Sequence, residues 1–363
     1  MARIAQITFH NAQNCGAALQ TFALQSVLAK MGHNVFQPNC NHVGDFLGHY
    51  NYPPPAKAGI AGRLKHYLWV AAIGTLSFVI GDLISHRFKV FAKKWMRVLD
   101  ISCSDIPTVA DIAVFGSDQI WNARVTCEDA DYFLGKTLSG KLPLMAYAAS
   151  PGDSIGAQQI SSGFFSSFRF VSFRDNAPVG GDVVADPTLL LSATDYEPLS
   201  FPRRITKGLY VFVYNVNGDP DFSQWARDIA GTLACRCVVV NMGQRSLWRY
   251  PVGEWPATSP DRFLSYVKNC SCVITNSFHG VAFSLIMHKP FVAYGPRQPG
   301  RRIYSLLERL RETGRLYENF DDVESAAMTL RHGVTDEAYA LLDDFRAGSL
   351  RWLENALDAC LHA

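Results

Sequence analysis

The sequence predicts an α/β protein with two parallel sheets, and three observations support this class. Short apolar runs rich in β-branched residues, which are typical of buried strands, are each followed by a polar break and then by an apolar helical pattern. Such alternation of strand and helix is typical of open parallel sheets. The pattern stops near residue 195 and restarts soon afterwards, and 363 residues are enough for two domains of ordinary size.

The first half opens with a strand, a helix and a second strand. Ile4–Phe9 is the predicted strand, a polar loop follows, and Ala17–Met31 has an apolar face that predicts a helix ending at Gly32. Residues 41–100 are predicted to form an irregular and partly apolar insertion. The later predicted elements of this half are strands at 111–115, 144–149, 170–173 and 183–185, and a helix at about 157–168.

The second half repeats the pattern around one central stretch. Cys272–Thr275 is a predicted buried strand, the polar break Asn276-Ser277 follows, and a helix of about two turns begins after Gly280 and ends before Pro290. The other predicted elements are strands at 209–214, 237–241 and 291–294, and helices at 221–234, 259–269, 301–313 and 336–361.

The restart of the pattern places a domain boundary near residue 195. We expect one domain at 1–195, a second at 196–335, and a C-terminal helical segment, 336–363, that packs back across both. The carboxyl ends of the strands in each half carry polar residues, so we expect a site along that edge.

Composition argues against several functional classes. With 34 Lys and Arg against 32 Asp and Glu, bulk charge gives no case for nucleic acid as a partner. Nine scattered cysteines, and an N-terminus without a basic region followed by an apolar one, predict reduced thiols and a cytoplasmic location that includes the inner face of the membrane. The pairs Cys235/Cys237 and Cys270/Cys272 lack the spacing of metal ligands, so we expect no metal and no cofactor.

The apolar segment Tyr67–Ile80 has basic residues on both sides and allows two interpretations. It is shorter than the ~20 residues that a membrane-spanning helix needs. One interpretation is a helix that covers a domain, and the other is an interfacial helix in peripheral contact with a membrane. Interruptions at Gly74, Thr75 and Ser77 favour the first.

The helix after the central strand is predicted to begin near Ser277 and His279. The first N–H groups of a helix have no partner within it, and its dipole is positive at this end, so the position attracts anions. The alternative is that Ser277 simply caps the helix and that His279 is an ordinary polar residue.

Six motifs occur in order along the chain, and together they resemble the polysaccharide pyruvyl transferase family. The motifs are Phe9-His-Asn-Ala-Gln-Asn-Cys-Gly-Ala-Ala-Leu-Gln, Val114-Phe-Gly-Ser-Asp-Gln-Ile-Trp-Asn, Ser172-Phe-Arg-Asp, Asp186-Pro-Thr-Leu-Leu-Leu, Ser259-Pro-Asp-Arg-Phe-Leu and Thr275-Asn-Ser-Phe-His-Gly. The resemblance implies two Rossmann-like domains facing a cleft, similar to GT-B glycosyltransferases, with an acceptor-side first domain and a donor-side second domain.

The resemblance further implies transfer of the pyruvyl group of phosphoenolpyruvate onto two hydroxyls of a glycan sugar, which forms a ketal in surface or exopolysaccharide biosynthesis. His279 is then the candidate acid and Asp118 the candidate base. Guanidinium groups suit the two anionic groups of phosphoenolpyruvate, although Arg174 could instead pair with Asp175 or Asp186. The donor-binding candidates are Arg174, Arg297, Ser277, Asn276 and Gly280.

The acceptor is expected to be a saccharide or a lipid-linked glycan. Asn14, Gln20 and Gln119 are candidates to hydrogen-bond it, and Trp121 is a candidate to stack on a sugar ring. The chain departs from the family at Ser277, where members commonly have arginine. Two alternatives stay open: a GT-B-type glycosyltransferase that uses a nucleotide sugar, and a catalytically reduced scaffold or membrane-surface binder.

Overall fold

The structure is a computed structural model that describes residues 1–39, 85–122, 126, 130–152, 165–175, 177, 180–241 and 258–362. Its first sheet has seven parallel strands in the order β3-β2-β1-β4-β5-β6-β7. These strands are β1 (Arg3–Ile7), β2 (Asn34–Pro38), β3 (Val98–Leu99), β4 (Ile112–Phe115), β5 (Leu144–Ala149), β6 (Phe170–Phe173) and β7 (Asp182–Val183).

The second sheet has five parallel strands in the order β12-β11-β10-β8-β9. They are β8 (Tyr210–Asn215), β9 (Arg236–Asn241), β10 (Cys272–Thr275), β11 (Phe291–Tyr294) and β12 (Leu316–Tyr317). Two separate parallel sheets confirm the predicted α/β class.

Helices connect the strands, as parallel pairing requires. The longer ones are α1 (Cys15–Lys30), α5 (Pro220–Thr232), α6 (Pro260–Asn269), α7 (Phe278–Ile286), α8 (Arg302–Arg309), α9 (Val323–Leu330) and α10 (Asp336–His362), and residues 85–95 are also helical. Single helical turns are α2 (Ile106–Val109), α3 (Ala130–Phe133) and α4 (Ala193–Tyr196). Short 3₁₀ turns lie at Cys103–Asp105, Pro187–Leu190, Glu197–Leu199 and Thr313–Arg315.

The two sheets share one continuous hydrophobic core. Ile4 of β1, Phe212 of β8 and Leu342 of α10 all belong to the same buried cluster. Two further clusters cover the remaining faces, one on each sheet. The carboxyl edges of the two sheets are therefore held close to each other by packed side chains.

The long C-terminal helix α10 returns to the first sheet. The hydroxyl of Ser349 accepts a hydrogen bond of 2.8 Å from the backbone N–H of Ala185, and Arg346 Nε donates to the carbonyl of Leu189 at 2.6 Å. Both contacts fall beside Asp186, so the helix fixes the segment that carries this carboxylate.

Some sequence predictions fall outside the described residues. The apolar segment Tyr67–Ile80 lies there, as do most of the predicted insertion 41–100 and of the predicted helix at 157–168. Among the described residues, no helix is long and apolar enough to cross a membrane.

Candidate functional site

Arg174 is the centre of a buried charge cluster at the carboxyl edge of the first sheet. It follows β6, and its side chain is only 2% exposed. Its guanidinium donates to the carboxylates of Asp118 (3.2 Å), Asp175 (3.1 Å) and Asp186 (2.9 Å). The ring of Phe278, from the second half, lies 5.1 Å from the guanidinium carbon. Both alternative partners suggested by the sequence thus contact Arg174, together with Asp118.

Asp118 lies in the turn after β4, where the backbone is unusual. Its φ is 78°, a conformation that non-glycine residues rarely adopt, and Gly116 before it has a φ of 126°. A Cβ at Gly116 would lie 2.0 Å from the carbonyl oxygen of Tyr147, so only glycine allows this approach. Burial disfavours the charged carboxylate, but Arg174, His279 and Arg302 outweigh it and lower the pKa of Asp118.

Asp186 begins the 3₁₀ turn after the last strands of the first sheet. One carboxylate oxygen accepts hydrogen bonds from the N–H and the hydroxyl of Thr188, at 2.9 and 2.7 Å. The other oxygen faces Arg174 and lies 3.6 Å from Nε2 of His279. Burial alone would raise the pKa of Asp186, but His279 and Arg174 reverse the effect and hold it well below its usual range.

His279, from the second half, contacts residues of the first half at the Arg174 cluster. It lies in the first turn of α7 and is 6% exposed. A Cβ on Gly16 of α1 would come within 2.0 Å of its Nδ1, so the absence of a side chain at Gly16 creates the space for the imidazole. No hydrogen-bond partner within 3.5 Å serves Nε2 in the described part of the chain. The carboxylate of Asp186, 3.6 Å away, is nevertheless an ion-pair partner for this nitrogen when the ring is protonated.

The residue before α7, Ser277, is held by a contact with Thr275 and not by a capping bond of its own side chain. Ser277 has the extended backbone of an N-cap, yet its side chain makes no capping hydrogen bond. The backbone N–H of Ser277 donates to Thr275 Oγ1 at 3.0 Å, and Gly280 allows the close approach of Thr275. Asn276 points to β8, where it accepts a hydrogen bond from the N–H of Val216 at 2.8 Å.

Arg302 brings a second guanidinium to the cluster. It begins α8 in the second half, and its Nη1 and Nη2 lie 3.2 and 3.1 Å from the side-chain oxygen of Gln119, once that amide is oriented to satisfy its neighbours. Its charge also acts on Asp118. The second half thus supplies both an imidazole and a guanidinium to carboxylates of the first half.

Arg297 occupies a different place from the one that the sequence suggested. Its Nε and Nη2 donate to the carbonyl oxygen of Leu316, and its backbone N–H donates to Glu318 at 2.7 Å. It lines a cavity of about 250 Å³ together with Tyr317 and Asp322. These contacts belong to the second half and do not include the Arg174 cluster, so the role of Arg297 in donor binding stays a prediction.

The proposed acceptor contacts divide into exposed and buried residues. Asn14 is exposed and caps α1, and Gln119 is half-buried beside Arg302. Gln20 is fully buried, where its Nε2 donates to Thr8 Oγ1 and its Oε1 accepts from the N–H of Ser117. Gln20 therefore supports the turn that carries Asp118, and this placement does not favour the acceptor contact that we expected.

Trp121 is a core residue. It is 3% exposed, and its ring packs on Phe165, Phe168 and Phe173 at centroid distances of 4.5 to 5.8 Å. Its Nε1 donates to the carbonyl of Phe133 at 3.1 Å. This packing corrects the sugar-stacking role that the sequence suggested.

Two groups gain importance from the structure. In the sequence, Arg302 is one of two adjacent arginines, and its position at the start of a predicted helix was the only sign that it contributes to the site. His10, in the first motif, is 4% exposed, with Nδ1 3.4 Å from the carbonyl of Thr8 and no partner for Nε2 among the described residues. Burial lowers the pKa of His10 and favours its neutral form.

Comparison with known proteins supports one family. Among solved structures, similar ones include a spinosyn rhamnosyltransferase (TM-score 0.46, 13% identity, 98% of this chain and 100% of that chain) and a glycosyltransferase involved in avilamycin A biosynthesis (0.49, 11%, 100% and 99%). A putative UDP-N-acetylglucosamine 2-epimerase from Listeria monocytogenes is also similar (0.48, 10%, 97% and 97%). No curated protein sequence matches. A model of the polysaccharide pyruvyl transferase family matches residues 14–297. Since this match spans well over half of the chain, the protein belongs to the polysaccharide pyruvyl transferase family.

Proposed function

We propose that this protein transfers the pyruvyl group of phosphoenolpyruvate to two hydroxyls of a saccharide or lipid-linked glycan, in the biosynthesis of a surface or exported polysaccharide. The observation that carries the proposal is the position of His279. Its imidazole is buried in the first turn of α7, and Nε2 lies 3.6 Å from the carboxylate of Asp186. One place thus combines a proton donor with the anion-attracting end of a helix.

The donor anions are proposed to bind between the start of α7 and Arg302. The N–H groups after Ser277, including that of Gly280, and the guanidinium of Arg302 offer the donors that a phosphate and a carboxylate need. Arg174 supports this site indirectly, because its three nitrogens donate to carboxylates and its side chain is almost fully buried.

In this reaction the two attacking hydroxyls release two protons, and C3 and the departing phosphate take up two. The imidazolium of His279 gives a proton to the methylene carbon C3, and a sugar hydroxyl attacks C2 while Asp118 takes its proton. A second hydroxyl then attacks C2, the C2–O bond to phosphate breaks, and the departing phosphate keeps the electron pair of that bond and takes up the proton of this hydroxyl. The two hydroxyl protons replace those taken up by C3 and phosphate. The lowered pKa of Asp118 keeps its carboxylate in the proton-accepting form.

Asp186 is proposed to stabilise the imidazolium of His279. Its carboxylate faces Nε2, and its charge is kept by Arg174 and by the hydrogen bonds from Thr188. A carboxylate so placed stabilises the positive charge of the ring during the proton transfer and orients the ring. Reprotonation after each turnover follows from the hydroxyl protons that the reaction releases.

Ligand-dependent stability tests this proposal. A ligand that binds only the folded state at ~100 times its Kd adds about 2.7 kcal/mol to the free energy of unfolding. We expect phosphoenolpyruvate to raise the melting temperature. Arg302→Ala should strongly reduce that shift, because it removes a cation proposed to bind the donor substrate. Arg351→Ala, at an exposed position of α10, is the matched control and should keep the full shift.

The competing donor class is part of the same experiment. Stabilisation by a UDP- or GDP-sugar, with no response to phosphoenolpyruvate, would overturn the proposal and favour glycosyl transfer. Release of inorganic phosphate from phosphoenolpyruvate in the presence of a glycan acceptor would support it directly. An equal loss of the shift in Arg302→Ala and Arg351→Ala would remove Arg302 from the donor site.

A further inference from the structure

The helical segment 85–95 and the two residues after it carry charge of one sign only. Between residues 85 and 99 there are five basic residues and no Asp or Glu, although the whole chain is nearly balanced at 34 basic and 32 acidic residues. The basic residues are Arg87, Lys89, Lys93, Lys94 and Arg97.

The segment presents these charges on one face. Phe88, Phe91 and Met96 are buried in the main hydrophobic core, which fixes the inner face of the helix. At 100° per residue, His86, Lys89, Val90, Lys93 and Lys94 share the opposite face of the helix, Arg97 follows two residues after its end, and all six are exposed. The positive face is therefore held rigidly by the core on its other side.

The lysines of this face have no acidic partner among the residues that the structure describes. Among the described residues, Lys89, Lys93 and Lys94 form no ion pair. Elsewhere among the described residues, three exposed lysines pair with a carboxylate (Lys30, Lys136 and Lys268), whereas Lys141 and Lys207 form no ion pair but are isolated in sequence from other lysines. Unneutralised charges in a row raise the local potential and attract a polyanionic surface.

An apolar residue lies among the charges. Val90 is 49% exposed between Lys89 and Lys93, whereas the half-buried Trp95 packs against the core on the inner side of the helix. Lysines around an exposed aliphatic residue suit the boundary between lipid headgroups and acyl chains. Nucleic acid would use the charges but would gain nothing from Val90.

We propose that this face, made of His86, Lys89, Val90, Lys93, Lys94 and Arg97, docks the protein on a bilayer that contains anionic phospholipid. Juxtamembrane basic residues gain about 1 kcal/mol each from an anionic leaflet, and the gain falls with ionic strength. Such docking concentrates the enzyme where a lipid-linked acceptor would be found. The surface shares no residue with the Arg174 cluster, so the docking proposal can be tested independently of the identity of the donor substrate.

Vesicle flotation tests the proposal on the full chain. Vesicles of phosphatidylcholine mixed with phosphatidylglycerol should carry the protein in low salt, and vesicles of phosphatidylcholine alone should not. The triple substitution Lys89→Glu/Lys93→Glu/Lys94→Glu should lower the partition coefficient by about 100-fold or more. The matched control is Lys141→Glu/Arg331→Glu/Arg351→Glu, which changes net charge equally at exposed positions elsewhere and should keep binding.

Several outcomes would overturn the proposal. Equal loss of binding in the two triple variants would show that net charge, and not this face, matters. Binding to duplex DNA at the same salt concentration without binding to vesicles would assign the face to nucleic acid. If the glutamate variant does not fold, the corresponding glutamine variant gives the same comparison. Turnover with a soluble acceptor should be the same for all folded variants, which separates this test from that of the proposed reaction.

Discussion

Two helices begin at the candidate site, and they begin differently. At α1, the side chain of Asn14 accepts hydrogen bonds from the backbone N–H groups of Gly16 and Ala17, at 2.8 and 3.2 Å. At α7, Ser277 has almost the same extended backbone, yet its side chain makes no capping bond. The two helix starts touch where His279 packs on Gly16.

The presence of a side-chain cap at α1 and its absence at α7 suggest different roles for the two helix starts. A capped end has its N–H groups satisfied and contributes to stability, whereas an uncapped end keeps them for another partner. Both Asn and Ser are good N-cap residues, so residue type alone does not separate the two cases. The contacts of the side chain do, and they favour the start of α7 as the end that binds the proposed donor.

The largest effect is expected at the uncapped end. His279→Ala removes the proposed proton donor, so turnover should fall by roughly 10²- to 10⁴-fold. Because the ring packs on Gly16, circular dichroism and the melting temperature must be measured alongside the rate. His332→Ala, at an exposed histidine, is the control and should keep full turnover. Unchanged turnover in folded His279→Ala would make His279 a packing residue only.

The carboxylates that face α7 predict how stability responds to acid. The pKa of Asp186 and that of Asp118 are lowered in the folded state, so each contributes stability that is present above the ordinary value of 3.8. That stability is lost as pH falls through the folded pKa values. We expect the free energy of unfolding to drop by a few kcal/mol between about pH 5 and the lowest pH at which the protein folds.

A comparison of two aspartates tests the assignment of this acid response. Asp186→Asn should flatten the pH dependence of the melting temperature, because the group with the depressed pKa is gone. Asp111→Asn is the control: Asp111 pairs with Arg3 at the exposed surface, where solvent screens the charges, so the slope should hardly change. Identical slopes in both variants would show that the buried cluster does not control acid stability.

Local pattern predicted much of the fold. Strand β5 was predicted over its observed range, and β10 and α7 lie where the apolar runs and Pro290 placed them. Alternation of strand and helix also predicted that polar groups meet at one edge, which holds for Asp118, Arg174 and His279. These features depend on residues close in sequence.

The remaining features depend on contacts between distant segments. The sequence suggested Asp175 and Asp186 as partners of Arg174, but nothing near Arg174 shows that Asp118, 56 positions away, shares the same guanidinium. Trp121 lies in a polar motif but packs on aromatic residues more than 40 positions later. Arg302 reaches Gln119 only because the halves pack together. Such contacts follow from tertiary packing, which periodicity and motif spacing do not encode.

The smallest effect is expected from replacing the residues before α1 and α7 by alanine. Replacing an N-cap residue that accepts hydrogen bonds by alanine costs ~0.5–2 kcal/mol of stability. Asn14→Ala should therefore lower the free energy of unfolding by about 1 kcal/mol in denaturant titration. Ser277→Ala removes no capping bond and should cost a few tenths of a kcal/mol at most, since surroundings as tight as those of Ser277 accommodate alanine. Equal costs would show that Ser277 does cap α7 in solution, and the first turn of α7 would then not be free for the donor.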